Sequence, residues 1–229
     1  MLPEELLHAA NLNALWHRGE KGGVRFERTT EHFLATPFAN TSLSGCKFVG
    51  CSFYGINFED TIFIGSEFLG CSFQACEFPT TWFKQAKLTA TRFRQCRFRD
   101  TRFNYARLNG VHFDHCIVNA NFERASMYNS VLTFSDLYEA ATEATQGILR
   151  VGPIGSRGDI LWAVYHEGEP DEHLYLKTGC FWGTYADFTR ELKANHEPDG
   201  RHYREYQAAL KLILLWRDDE AEEAQRETD

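Results

Sequence analysis

Large apolar residues recur at every fifth position through the middle of the chain. The series runs from Phe33 to Val118, resumes after a one-residue shift at Phe122, and ends at Leu137. It takes in fifteen of the nineteen phenylalanines. A period of five fits neither an α-helix nor a single β-strand. Such a fixed period predicts a solenoid, in which each repeat buries its apolar residue against the repeats stacked on it.

The small residue two places before each large one shows a longer period of twenty. Cysteines stand at 76, 96 and 116, and threonines at 61, 81 and 101. Four repeats per coil would place position i directly beneath position i+20, so like residues would stack on like. The sequence therefore predicts a four-sided coil.

This pattern of a small residue, any residue, then Phe or Leu resembles the pentapeptide-repeat family over residues 31–140. The resemblance implies a mainly β fold, a right-handed four-sided β-helix in which both the small and the large residue point inward. Twenty-two repeats at four per coil give about five and a half coils. Both ends of such a rod expose unpaired backbone and need a cover.

The two flanks have the composition of such covers. Residues 1–30 contain an amphipathic segment at 3–17, predicted to form a helix that lies over the first coil, followed by a glycine-rich linker. Residues 141–229 lack the repeat and predict a small α+β module. Its expected elements are strands at 148–154, 160–166 and 174–178, a helix from the N-cap Thr184 to Asn195, and a final helix from Arg201. We expect Gly179–Gly183 to be a tight connection and the acidic end from Asp218 to be frayed.

The net charge of −8 is unevenly distributed along the chain. Residues 141–229 carry ten basic and eighteen acidic groups, whereas residues 41–140 carry ten and nine. The chain shows neither a basic and apolar leader nor an apolar run long enough to span a bilayer, so we expect a cytoplasmic protein. Six of the seven cysteines occupy the small inward position, which is typical of buried, reduced thiols.

Residues 84–107 contain eight basic side chains against the single acidic Asp100. We call these eight the basic girdle, because they extend over slightly more than one coil: Lys84, Lys87, Arg92, Arg94, Arg97, Arg99, Arg102 and Arg107. One interpretation is a solvated surface with cations that protect strand edges. The other is a surface that attracts an acidic protein patch or a nucleic-acid backbone. Few exposed aromatic residues accompany the girdle, so base recognition has little support.

The C-terminal part offers its own candidates. Arg157, Asp159 and Trp216 are predicted contact residues of the module, and Cys180 with His196 or His202 would be a thiol–imidazole pair. The glycine-rich stretch 152–159 matches neither a P-loop nor a dinucleotide fingerprint. A straight column of cysteines spaced by a full coil cannot surround one metal ion tetrahedrally, so no metal or cofactor is expected.

Two stretches of this module, 151–159 and 179–184, together with His196 and Tyr206 that follow them, resemble small domains of phage and prophage proteins. That resemblance implies a bacterial or phage origin and no particular activity.

These features lead to one function and two alternatives. The first is a non-enzymatic interaction module that binds a macromolecular partner, expected to be a protein, through the rod or the C-terminal module, with homodimerisation left open.

The fluoroquinolone-resistance branch of the pentapeptide-repeat family resembles duplex DNA and binds DNA gyrase, which makes topoisomerase binding the second hypothesis. A band of positive charge opposes such DNA mimicry. The third is a small enzymatic or ligand-binding activity around Arg157, Asp159 and Cys180.

Overall fold

The computed structural model describes residues 3–137, 140–166 and 174–226. Within those ranges a helix is followed by a coil of short strands, an antiparallel sheet and two more helices. The helices are α1 Pro3–His17, α2 Tyr185–Asn195 and α3 Arg201–Arg226. The strands of the coil are β1 Glu27–Thr29, β2 His32–Leu34, β3 Lys47–Val49, β4 Ser52–Tyr54, β5 Glu67–Leu69, β6 Ser72–Gln74, β7 Glu77–Pro79, β8 Arg92–Arg94, β9 Arg97–Arg102, β10 His112–Asp114, β11 Ile117–Asn121 and β12 Val131–Thr133. The sheet consists of β13 Ile148–Ile154, β14 Asp159–Tyr165, β15 Leu174–Thr178 and β16 Phe181–Thr184.

The coil is a four-sided parallel solenoid of about five turns, as the twenty-residue period predicts. One face is a six-stranded sheet in the order β12-β10-β8-β6-β4-β2, and two further faces have the orders β11-β9-β7 and β1-β3-β5. Isolated parallel bridges form the fourth face, on which Ile62 pairs with Trp82 and Trp82 with Arg102. The expected mainly β fold is confirmed.

Phenylalanine rings fill the interior in parallel stacks. Phe53 lies 4.5 Å from Phe73, and Phe58 lies 5.0 Å from Phe78, with interplanar angles of 6° and 3°. Rings of neighbouring faces meet edge to face, and all four of these side chains are buried. Each buried Phe contributes about 1.5–3 kcal/mol of transfer free energy. The stacked phenylalanine side chains are therefore the main source of the solenoid's stability.

The small inward residues bind the coils to one another. The hydroxyl of Thr81 donates to the carbonyl of Phe58 at 2.8 Å, and that of Thr61 to the carbonyl of Phe38 at 2.9 Å. Cysteines at equivalent positions are buried and free, and their thiols contact the corresponding carbonyls. Burial raises the pKa of the Cys46 thiol to about 12. The Cys46 thiol therefore stays protonated and unreactive.

The one-residue shift of the sequence repeat appears as an irregular corner. The register between β9 and β11 changes between Val118 and Ala120. Ala120 then pairs with Thr101, and Phe122 stacks on Phe103. The interior stack therefore continues through a coil that is one residue shorter than the others.

α1 covers the first coil, as predicted. Leu6 and Ala10 are buried in the same core cluster as Phe26. The buried side chain of Asn13 accepts a hydrogen bond from the Phe26 amide and donates to the Ser44 carbonyl, both at 2.9 Å. The helix thus satisfies backbone groups that the first coil would otherwise leave unpaired.

The antiparallel sheet lies between the last coil and the helices. Its order is β13-β14-β15-β16. Ile148, Trp162 and Val164 belong to the core cluster of the solenoid, whereas Leu161 and Leu176 belong to a second cluster with α2 and α3. The sheet therefore covers the second open end of the solenoid.

Two expectations for the C-terminal module are wrong. Residues 181–184 are a fourth strand, β16, which pairs with β15 in the register Thr178–Phe181. The acidic segment from Asp218 continues α3 to Arg226, and residues 227–229 lie outside the described part. The helix persists because the buried Glu220 accepts hydrogen bonds from Trp216 Nε1 and from the Gly147 amide. The division at residues 30 and 140 stays a prediction; parallel bridges between coils extend to Gln146.

Candidate functional site

All eight side chains of the basic girdle are exposed. Each occupies a position next to an inward Phe or Leu, where the alternation of the strand turns the side chain outward. Arg92 and Arg94 flank the buried Phe93 in β8, and Arg97 and Arg99 flank the buried Phe98 in β9. The sequence repeat thus fixes both the buried ring and the exposed cations.

The girdle surrounds the solenoid. Arg92 lies on the six-stranded face and Arg97 on the face of β7, β9 and β11. β9 turns a corner at Asp100, so Arg102 at its end lies on the face of isolated bridges. Arg107 lies on the remaining face, where it pairs with Lys87 of the coil below. The eight cations therefore encircle one coil instead of following one face of the rod.

Three girdle cations have neighbours that hold them in place. Arg94 lies 3.5 Å from the carboxylate of Asp114. The guanidinium of Arg102 lies 4.2 Å from the ring centroid of Trp82, and Lys84 lies 5.8 Å from that of Tyr105. The Trp82–Arg102 pair fixes the planar guanidinium against the surface, with its edge left free for hydrogen bonds.

The other five cations form no ion pair with any residue in the described ranges: Lys87, Arg92, Arg97, Arg99 and Arg107. The effect of Arg92 extends to its neighbour in the next coil, since burial and the Arg92 charge together lower the pKa of His112. Unpaired cations on a rigid scaffold attract anions without first breaking an internal salt bridge.

A recess interrupts the girdle at the irregular corner. Its volume is about 400 Å³, and Asp100, Arg102, Asn104 and Asn121 line it. The amide of Asn104 donates to Asn121 Oδ1 at 2.9 Å. The shortened coil therefore creates an indentation in the rod directly beside a girdle arginine.

A larger cleft lies at the junction of the solenoid and the sheet. We call it the junction cleft; its volume is about 750 Å³, and its lining includes Phe134, Asp136, Arg150, Asp159, Trp162, Lys177 and Cys180. Cys180 is the one exposed thiol of the seven cysteines. Arg150 and Lys177 could not be identified as site residues from the sequence, because only strand pairing brings them together.

The predicted C-terminal candidates do not form one site. Asp159 and Cys180 line the junction cleft, whereas Arg157 lies with His196 in a separate recess of about 290 Å³. His202 Nδ1 donates a hydrogen bond to the Glu205 carboxylate at 3.1 Å. The thiol–imidazole pair with His196 is therefore not assembled, since the two side chains line different cavities.

The loop that carries Arg157 is fixed to α3. The Gly155 amide donates to Glu205 Oε2 at 3.1 Å. Gly155 has a φ of +74°, and a Cβ there would lie 2.4 Å from Tyr206 Oη, so both the backbone angle and the close approach require glycine. Trp216 is half-buried, and its indole N–H is directed to Glu220 within the packing of α3.

Comparison with known proteins agrees with the repeat. Residues 36–113 match the family model described as pentapeptide repeat region. No curated protein sequence matches the chain. The expected likeness of residues 141–229 to phage proteins receives no support from these matches.

The solved structures to which the chain is similar include several pentapeptide-repeat proteins. A trypsin-treated variant of QnrB1, a plasmid-mediated fluoroquinolone resistance protein, is 22% identical, with a TM-score of 0.29 over 48% of this chain and 55% of that one. The chain thus spans about half the length of that relative. A protein from the cyanobacterium Cyanothece 51142 is 14% identical, with a TM-score of 0.25 over 53% and 84% of the two chains. HetL, which is involved in heterocyst differentiation regulation in Nostoc, is 12% identical, with a TM-score of 0.23 over 59% and 93%.

None of the described helices is both long and apolar enough to cross a membrane.

Proposed function

We propose that this protein is a non-enzymatic interaction module and that its basic girdle binds an acidic surface of a partner protein. The observation that carries the proposal is the exposure of all eight girdle cations on a rigid coil. A solenoid presents such a surface ready-made, so little conformational entropy is lost on binding.

The arrangement of charge favours a protein over a nucleic acid. The cations encircle one coil instead of following one face of the rod, so a straight duplex would meet only part of them. The aromatic residues beside the girdle cations, Trp82 and Tyr105, already contact cations of the rod. Base stacking would have to displace those contacts. A folded acidic protein that contacts one or two faces fits the geometry better.

The proposal is tested by capturing partners from bacterial lysate with three forms of the tagged protein. These are the wild type, the girdle variant Arg92→Glu, Arg97→Glu, Arg102→Glu, and a control variant Lys193→Glu, Arg204→Glu, Lys211→Glu. The control changes the net charge equally at three exposed positions of α2 and α3. We expect the partner with the wild type and the control but not with the girdle variant. Equal capture by all three would contradict the proposal.

Single reversals then identify the face that binds. Arg92, Arg97 and Arg107 lie on different faces of one coil. A partner that approaches from one side should lose affinity with one or two of the reversals and tolerate the third.

Topoisomerase binding remains the alternative, and it rests on the family resemblance. It predicts that the purified protein alters DNA supercoiling by gyrase. Normal supercoiling at saturating protein would eliminate it and leave the girdle proposal intact, because the girdle requires only an acidic partner.

A further inference from the structure

A row of alternating cationic and aromatic side chains lies on the side of the sheet that faces the solenoid. Arg150 pairs with Trp162 across β13 and β14, and Trp162 pairs with Lys177 across β14 and β15. Directly paired residues project from the same face of a sheet. Trp162 belongs to the core cluster of the solenoid, so all three are directed toward the last coil. They form one wall of the junction cleft.

The last coil supplies the opposite wall. Phe134 is 60% exposed, although it is one of the largest apolar residues, and its ring lies 4.9 Å from that of His115. It occupies a corner of the coil with a φ of +48°, a conformation that a bulky residue rarely adopts. The same left-handed angle recurs at other corners of the solenoid, such as Ala75 and Thr80, so it is the exposure of the Phe134 ring that distinguishes this position.

The two cationic side chains of the cleft, Lys177 and Arg150, differ in burial and in their acidic neighbours. Lys177 is only 5% exposed, and its ammonium donates to the Gly179 carbonyl at 3.2 Å. Burial lowers its pKa, and the carboxylates of Asp136 and Asp159 act in the opposite direction. Lys177 is therefore balanced by two acidic neighbours. Arg150 is exposed, lies 5.9 Å from the Trp162 ring centroid, and forms no salt bridge within the described ranges.

We propose that the junction cleft binds a small organic carboxylate. Its carboxylate would pair with the planar guanidinium of Arg150, which offers two parallel N–H donors, and its apolar body would lie against Phe134. Asp136 and Asp159 disfavour a doubly charged phosphate by repulsion, which leaves the singly charged carboxylate as the preferred anion. The cleft volume of about 750 Å³ lies within the range of small-molecule sites.

Cys180 provides a reporter of occupancy, because it is the exposed thiol and it lines the cleft. The experiment measures the rate of Cys180 alkylation by neutral iodoacetamide, followed by intact mass, in the full-length protein. The probe is benzoate, with benzamide as its uncharged counterpart and phenyl phosphate as the doubly charged one. Arg150→Gln removes the anchor, and Arg204→Gln is the matched control at an exposed position of α3.

We expect benzoate to slow Cys180 alkylation in a saturable manner and benzamide to have no effect. In Arg150→Gln the half-protecting concentration of benzoate should rise about tenfold or more, as expected from loss of a charged hydrogen bond. In Arg204→Gln it should not change. Saturation-transfer NMR of benzoate on the same samples detects binding independently of the thiol.

Three results would overturn the proposal. The first is an absence of both protection and saturation transfer in the wild type. The second is equal benzoate binding by Arg150→Gln, which would place the anion elsewhere. The third is stronger protection by phenyl phosphate than by benzoate, which would contradict the role of Asp136 and Asp159.

Discussion

The rings of Phe103 and Phe122 stack at 5.1 Å with an interplanar angle of 2°, although nineteen residues separate them where other stacked pairs are twenty apart. The missing residue is absorbed at the corner between Val118 and Ala120, where the strand register changes. The interior stack of rings therefore continues without a break, and the corner becomes irregular instead. Burial of a large aromatic surface outweighs the local irregularity.

Replacement of a stacked ring should strongly destabilise the solenoid. Phe103 lies between Phe83 and Phe122 and is fully buried, so Phe103→Ala should lower the free energy of unfolding by about 3–5 kcal/mol. Urea unfolding followed by circular dichroism measures this. The control Tyr105→Ala, on the exposed surface two residues away, should cost at most about 1 kcal/mol. Similar losses in both variants would contradict the proposed role of the ring stack.

The hydroxyl column should contribute separately from the rings. Thr81→Val keeps the shape of the side chain but removes the donor to the Phe58 carbonyl, so we expect a loss of about 1–3 kcal/mol. Thr89 is exposed, and Thr89→Val should be nearly neutral. If Thr81→Val unfolds at the same urea concentration as the wild type, the hydrogen bond contributes nothing net.

The cover formed by α1 depends on one polar side chain. Asn13→Ala leaves the Phe26 amide and the Ser44 carbonyl without their buried partner and should cost about 1–3 kcal/mol. It should also promote association through the uncovered coil, detectable by light scattering. Asn11 is exposed on the same helix, and Asn11→Ala should change neither property. A monomeric, fully stable Asn13→Ala protein would show that α1 is not a required cover.

The contact between α3 and the 152–158 loop should weaken in acid. Hydrogen bonds from His202 and then Arg201 lower the pKa of Glu205 to about 2, and the Gly155 amide adds to this effect. A carboxyl with a depressed pKa stabilises the fold above its unfolded pKa and loses that contribution as the pH falls through the folded value.

The stability difference between wild type and Glu205→Gln should therefore be largest above about pH 4.5 and shrink as the pH falls toward 2. Chemical denaturation at a series of pH values measures it. A difference that is constant across this range would rule out a charged role for Glu205.

The solenoid could be predicted from the sequence because one large apolar residue in every five identifies a buried position. α1 and α2 could also be predicted from the sequence. For α2 the signal is local, because the N-cap Thr184 and Asp187 three residues later form a capping box. β16 was not, because a four-residue strand that begins at Phe181 gains its order only from pairing with β15. The helical tail was missed for a similar reason: Glu220 is an acidic residue in an acidic run, and only the fold places it against Gly147.

The two candidate sites differ in the same way. The girdle could be read from the sequence, because outward positions follow from the inward ones. The junction cleft could not, since Arg150, Trp162 and Lys177 become neighbours only through the register of three strands, and Phe134 lines the same cleft from the last coil.

The salt dependence of binding to the captured partner tests the central role of the girdle most directly. It compares the wild type, the Arg92, Arg97, Arg102 charge-reversal variant and the matched Lys193, Arg204, Lys211 control. If the girdle carries recognition, the affinity of the wild type and the control will fall steeply as ionic strength rises, while the girdle variant binds weakly throughout. A salt-independent affinity shared by all three proteins would contradict it.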